Sequence, residues 1–280
     1  MRYRTERRES KVFGEEGPSG CCESMHSMAR VMLKQECRTD KSRGSSHRTP
    51  KEVAQAQFSC DSLVEGLSLE DCEHMASIGM FSQGDNSFAE EEDPHGTWIG
   101  DDGPNTFCFI NKAGVPLTIV LWNMGPDDDQ ASFMNVRAPK ITYSLPSSGD
   151  SVIVSLANGV AGGFSAIWDR TTTLSQWGMI DNTMGEFSTG AYATIDVSRL
   201  VNMSGNSMTV FVQGGCVASM SRCVYQCSGA DSESCGDAGT YELVGCWGLP
   251  NAVSSVDKYG NPTGGCQGWS YGGHVDIVLT

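Results

Sequence analysis

"SVIVSLANGVAGGFSAIWD", Ser151 to Asp169, decides the fold class. In its first half Val152, Val154 and Leu156 alternate with Ser151, Ile153 and Ser155. A period of two marks a strand with one face in a core. A Gly-containing turn follows, and Phe164–Asp169 then reads as a second strand. The same texture recurs at Asn105–Asn111, Pro116–Asn123, Ala193–Ser198, Met208–Val212 and His274–Thr280, divided by Gly, Pro, Asn and Asp. In the last of these, Val275, Ile277 and Leu279 alternate with His274, Asp276 and Val278. "TIVLW" (Thr118–Trp122) is apolar enough throughout to require cover on both faces. Two packed antiparallel sheets satisfy both patterns, so the expected fold is an all-β sandwich. Gly125–Asp129 and Leu145–Asp150 read as turns. There is no internal repeat, no heptad and no phosphate loop.

Composition agrees. The chain has 280 residues, enough to bury a substantial core, with 33 Gly and a charged fraction of only 19%. Charge is unevenly placed. Residues 1–51 carry 12 Lys+Arg against 7 Asp+Glu, and the remainder carries 7 against 27. A body at −20 repels phosphate backbones, which argues against a nucleic-acid partner. Neutral partners such as polysaccharide, and basic ones, remain suitable. No segment reaches the roughly 18 apolar residues of a membrane span.

Twelve cysteines suit an oxidising compartment. Cys216, Cys223, Cys227, Cys235, Cys246 and Cys266 crowd a Gly/Ser-rich stretch without zinc-like spacing. Three disulfides among them are expected, with fifteen possible connectivities. Cys108 lies in a strand without an obvious mate. The start of the chain fits an exported protein poorly: "MRYRTERRESKVFGEEG" has no apolar core. Residues 1–56 read as a disordered or misassigned extension, with a cleavage-like Ala54-Gln55-Ala56 just before Cys60. The expected location is extracellular, with no signal peptide in the chain as it stands. Within the extension, Cys21–Cys37 mixes Cys, His and Met, but a bare tract is no metal site.

Residues 57–97 read as a helical lead-in and an acidic linker, ahead of a β-domain over 98–280 whose part 214–270 is Cys-rich. Ser68 and Asp71 form a capping signal, and Leu69, Cys72, Met75 and Ala76 fall on one helical face. Cys60 could pair with Cys72 across the preceding turn. The run Glu90, Glu91, Glu92, Asp93 is a solvated acidic stretch rather than a calcium site.

The order of segments resembles the thaumatin-like proteins. "TFCFINKAGVPLTIVLWN" looks like the first strand pair of that fold. "SLPSSGDSVIVSLANGVAGGFSAIWDRTT" looks like its next unit, and "GEFSTGAYATIDVSRLVNMSGNSM" like the stretch that follows. "HVDIVLT" matches the family's closing strand, and the layout is also similar to small secreted fungal proteins of the allergen and effector kind, related to an Aspergillus allergen. The resemblance implies an antiparallel β-sandwich with a disulfide-rich C-terminal region. It also implies an acidic cleft, and three positions match the cleft's pattern: Arg170 in "IWDR", Glu186 in "GEF" and Asp196 in "IDVS". A further expected Asp is absent from "SRLVNMSGN".

Three readings of Glu186 and Asp196 stay open. They are part of an Arg–Glu–Asp ion network, or the lining of a binding cleft, or the carboxyl pair of an endo-β-1,3-glucanase. Hydrolysis needs two carboxyls flanking one bond, one protonated and one ionised. The expected role is non-catalytic: binding cell-wall polysaccharide or acting at a host interface, as a monomer, with no cofactor and no metal. A surface protein without a ligand is the third class. No nucleophile motif accompanies His74, His95 or His274. Trp247, Trp269 and Tyr271 are either a sugar-stacking face or packing over disulfides. Asn202-Met203-Ser204 is a glycosylation sequon if the chain is exported.

Overall fold

The computed structural model describes residues 58–89, 96–124, 132–229 and 231–280. Expectations for residues 1–56, including Cys21–Cys37 and Ala54–Ala56, lie outside the described residues. So do those for Glu90–Asp93, for His95 and for the turn Gly125–Asp129.

Helix α1 spans Leu69–Ser77. The strands follow in order: β1 Thr97–Ile99, β2 Asn105–Asn111, β3 Leu117–Asn123, β4 Ile141–Leu145 and β5 Ser151–Leu156. Next come β6 Ala161–Trp168, β7 Met184–Ser188, β8 Thr194–Ser198, β9 Met208–Val212 and β10 Val217–Ser219. The last five are β11 Val224–Cys227, β12 Tyr241–Val244, β13 Ala252–Val256, β14 Pro262–Cys266 and β15 Gly273–Leu279.

They build two sheets. The first runs β1-β5-β2-β15-β9-β10. The second runs β12-β11-β8-β7-β6-β3-β4, with the β13–β14 hairpin attached to β8 through Cys266 and Ile195. Neither sheet is purely antiparallel, contrary to expectation. β15 runs parallel to β2 and antiparallel to β9, and β11 runs parallel to β8. In both parallel pairs the partners are joined by long excursions rather than hairpins, and such connections return a strand in the same direction.

The period-2 residues meet between the sheets. Phe107, Phe109, Val152, Val154, Leu156, Phe164, Phe187, Ile195, Val197, Val275 and Ile277 share one core with Leu117, Ile119 and Leu121. Phe107 meets Phe187 and Trp269 edge to face at 5.0 and 5.5 Å. The other face of the second sheet is covered too. Val120 and Trp122 join a second core with Cys72, Met75 and Met80 from the α1 region and Met184, Tyr225 and Tyr241 from the sheet. This explains the uninterrupted apolar run of β3, and it makes the lead-in part of the body.

Ser68 caps α1, its hydroxyl accepting from the Asp71 N–H. The buried face differs from expectation: Cys72 and Met75 are buried, but Leu69 is 46% exposed and Asp71 takes an inside position. Asp71 is held there by Arg170, whose Nε donates to Oδ1 at 2.7 Å, and by the Ser144 hydroxyl.

Among the described residues four disulfides are formed: Cys60–Cys72, Cys216–Cys266, Cys223–Cys246 and Cys227–Cys235. The six C-terminal cysteines therefore pair among themselves. Cys108 is a free thiol on β2, partly exposed and opposite Asp276. Burial, then the Asp276 charge, raises its pKa, so it is not an activated thiolate.

Candidate functional site: a carboxyl pair on the second sheet

Glu186 and Asp196 sit directly opposite each other on β7 and β8. Their neighbours in sequence, Gly185 and Phe187 on β7 and Ile195 and Val197 on β8, point the other way, and all but Gly185 carry core side chains. Strand alternation therefore places both carboxyls on the outer face. A direct cross-strand pair has β-carbons about 4.5–5.5 Å apart. Asp196 is 2% exposed, whereas Glu186 is half-buried and reaches solvent.

The row continues on both sides. On β6 the partner of Glu186 is Gly163, and on β3 the partner of Gly163 is Trp122. A Cβ at Gly163 would lie 2.5 Å from Cζ2 and 2.8 Å from Cε2 of Trp122, so the indole lies directly over this glycine. On the other side, Tyr225 and Tyr241 face each other with ring centroids 6.2 Å apart. The Tyr225 hydroxyl lies 3.5 Å from the Gly264 carbonyl of β14. Gly265 is also required here: its φ is +141°, and a Cβ would meet Ile195 O at 2.7 Å and the Asp196 β-carbon at 3.2 Å. The hairpin backbone thus closes against Asp196.

Among the described residues three polar atoms on this face have no hydrogen-bond partner: Asp196 Oδ1, Ser198 Oγ two residues along β8, and Trp122 Nε1. The carboxyl oxygen accepts, the indole N–H donates and the hydroxyl can do either.

Arg170 is not part of this row. It lies beyond the end of β6, in a turn with φ +52°, and its guanidinium is committed to Asp71. Other cations are also engaged elsewhere: Arg137 with Gly79 O, Lys140 with Asp85, and Arg199 with the carbonyls of Met203 and Met220. The expected triad is therefore a pair, and the expected Arg–Glu–Asp network is replaced by a separate Arg170–Asp71 bond that anchors α1. An arginine two residues after a strand can turn to either face, and its own sequence does not say which.

Among the described residues no cation pairs with either carboxyl, and the electrostatics follow from that. Burial pushes Glu186 up to about 7. Burial first, and then the facing Glu186 charge, hold Asp196 well above the usual carboxylate range, while the Glu186 backbone N–H pulls weakly the other way. Tyr225 is raised by burial and then by the charges of Asp196 and Glu186. Tyr241 is pushed up to about 12 by burial, Glu186 and Asp257. Two adjacent carboxyls in such a place do not both ionise readily. Below neutrality the row presents hydroxyl-like groups that donate and accept.

The remaining candidates fall elsewhere. Trp269 is buried against Phe107, while Trp247 is 99% exposed and Tyr271 69%, so they form no common face. His74 bonds Thr172 O, and His274 lies between Thr106 and Asp276. Asn202 donates to Asp181 O and accepts from the Ser204 N–H, so its side chain ties the loop after β8 to the loop before β7. Among the described residues no group of three or more His, Cys, Asp or Glu is arranged to hold a metal, and no helix is long and apolar enough to cross a membrane. Tyr225, Tyr241 and Trp122 were not anticipated in the site. A signal for Trp122 was present, since a bulky residue in a strand needs a small cross-strand neighbour and "AGG" supplies it.

No protein-family model matches the chain, and no curated protein sequence is significantly similar to it.

Proposed function

We propose that the chain is an extracellular thaumatin-like protein of the small secreted fungal allergen and effector kind, monomeric, which binds neutral cell-wall polysaccharide without cleaving it. Glu186 and Asp196 form the floor of its binding groove, with Tyr225, Tyr241 and Trp122 as the walls. One observation carries this reading: the buried Asp196 Oδ1 has no protein partner, beside a Glu186 that reaches solvent. Buried polar atoms are nearly always hydrogen-bonded, and a ligand hydroxyl suits this acceptor. The Trp122 N–H offers the matching donor. The four disulfides among the described residues support an oxidising location. The strongly acidic body disfavours acidic polymers.

The electrostatics argue for binding over cleavage. Hydrolysis needs one carboxylate held ionised beside a protonated partner. Here both carboxyls are raised, and among the described residues no cation holds either one ionised. The glucanase reading has a single observation in its favour: a Glu at about 7 is suited to general acid work.

Retention on insoluble β-glucan in mildly acidic buffer tests the proposal. Wild type should be retained. Glu186→Leu should elute, because it removes the donor and acceptor at similar size. Glu186→Gln should stay bound, because the amide keeps both. Release of reducing sugar by wild type, lost in Glu186→Gln, would turn the reading to an enzyme. A wild type that binds no neutral polysaccharide would leave a structural pair.

A further inference from the structure

Going outward from the acid pair, the next outer-face residues are Ser188 and Thr194, again directly opposite. They lie two residues along, about 7 Å away. The Ser188 and Thr194 hydroxyls each donate to the Tyr192 carbonyl at 3.0 Å. Gln267 Nε2 donates to Thr194 Oγ1, also at 3.0 Å. A short polar track therefore runs from the carboxyls to the loop that joins β7 and β8.

That loop carries Tyr192, which is 68% exposed. The Tyr271 N–H donates to Gly190 O at 2.9 Å and seats a second tyrosine on the same loop, 69% exposed. Tyr271 has a φ of +60°. A bulky residue rarely adopts this left-handed backbone, and Gly or Asn would do so at less cost. The ring is not buried, so packing does not explain the choice. Backbone strain kept at an exposed side chain points to a use for that side chain.

We infer that Tyr192 and Tyr271 form an outer stacking subsite, which lengthens the Glu186–Asp196 groove so that it grips several consecutive units of a linear neutral polysaccharide. The inference rests on the polysaccharide reading above. A pyranose ring has an apolar C–H face with hydroxyls at its edge. It matches an exposed phenol ring, whose face is apolar and whose tip is polar. Ser188 and Gln267, both partly exposed, supply hydroxyl and amide groups along the intervening distance, while the buried Thr194 hydroxyl holds the Gln267 amide in place. A short oligosaccharide fills the carboxyl groove alone, and a long one reaches both places.

The test compares short and long soluble β-glucan oligosaccharides by calorimetric titration of the full chain. The Tyr192→Ala, Tyr271→Ala double variant should weaken the long ligand on the order of tenfold and leave the short one unchanged. Tyr271→Gly should also weaken the long ligand, with a melting temperature unchanged or higher, because glycine relieves the backbone. Equal affinity of wild type and double variant for the long ligand would overturn the subsite alone, provided Glu186→Leu still abolishes binding. Equal losses for short and long ligands, or a lowered melting temperature in Tyr271→Gly, would also overturn it. If wild type binds neither ligand, the polysaccharide reading falls as well.

Discussion

At the scale of single residues, the acid pair makes a signed prediction about pH. Glu186 is raised from 4.5 to about 7 in the folded chain. Folding is therefore favoured by its protonated form. Its contribution is complete below about pH 4.5 and is lost as the pH rises through about 7. The loss from this one group is on the order of 3 kcal/mol. Other carboxylates titrate over the same range, so the useful quantity is the difference between wild type and Glu186→Gln. Urea unfolding across this window should show the variant gaining on wild type as the pH rises. A constant difference would refute the raised carboxyl. With Arg170 elsewhere, the amide strands no cation, and Glu186→Gln should stabilise at neutral pH. Gly163 gives a second prediction. Its missing side chain makes room for the Trp122 indole. Gly163→Ala should cost about 1–3 kcal/mol in denaturant unfolding and weaken glucan retention, since the ring must move.

At the scale of elements, α1 is attached by more than its apolar face. Asp71 receives Arg170 and Ser144, while Ser144 Oγ also accepts from the Ser68 N–H at 2.8 Å, so cap, helix and β4 share one polar junction. Asp71→Ala should cost about 2–3 kcal/mol, less than for a fully buried pair because Arg170 reaches solvent. Removing Arg170 as well should restore part of that loss, and a double-mutant cycle would read the coupling. Strict additivity of the two substitutions would mean that the ion pair contributes nothing.

For the whole molecule, the disulfides differ in the length of chain they close. Cys216–Cys266 spans 50 residues and ties the start of β10 in the first sheet to the end of β14 beside the second. Cys227–Cys235 spans only 8. The chain-entropy argument gives about 4 kcal/mol for the first and about 2.5 for the second. Paired Cys→Ala variants, compared by thermal unfolding, should follow that order. The reverse order would show that local packing, rather than chain closure, dominates these bonds.

The sequence by itself determined the class of fold and seven of the fifteen described strands. Periodicity places β2 and β9 at their observed bounds and brings β3, β5, β6, β8 and β15 within a few residues, because a half-buried strand must alternate and a doubly covered one must be apolar. It left out β1, β4, β7 and β10–β14, which are short or rich in Gly and polar residues. Their pairing is set by neighbours and disulfides rather than by their own pattern. Glu186 and Asp196 were legible as a pair, and the register confirms that they face each other. Arg170 was drawn into the same site by its place in a motif, yet it turns away to Asp71. Tyr225 and Tyr241 adjoin the carboxyls from strands remote in sequence, and Trp122 lies one strand further along the row, over Gly163. Which face a side chain takes past a strand end, and which distant strands adjoin it, depends on sheet order and on the covering layer. Only the tertiary structure decides these, and they are what leave the two carboxyls without a cation among the described residues.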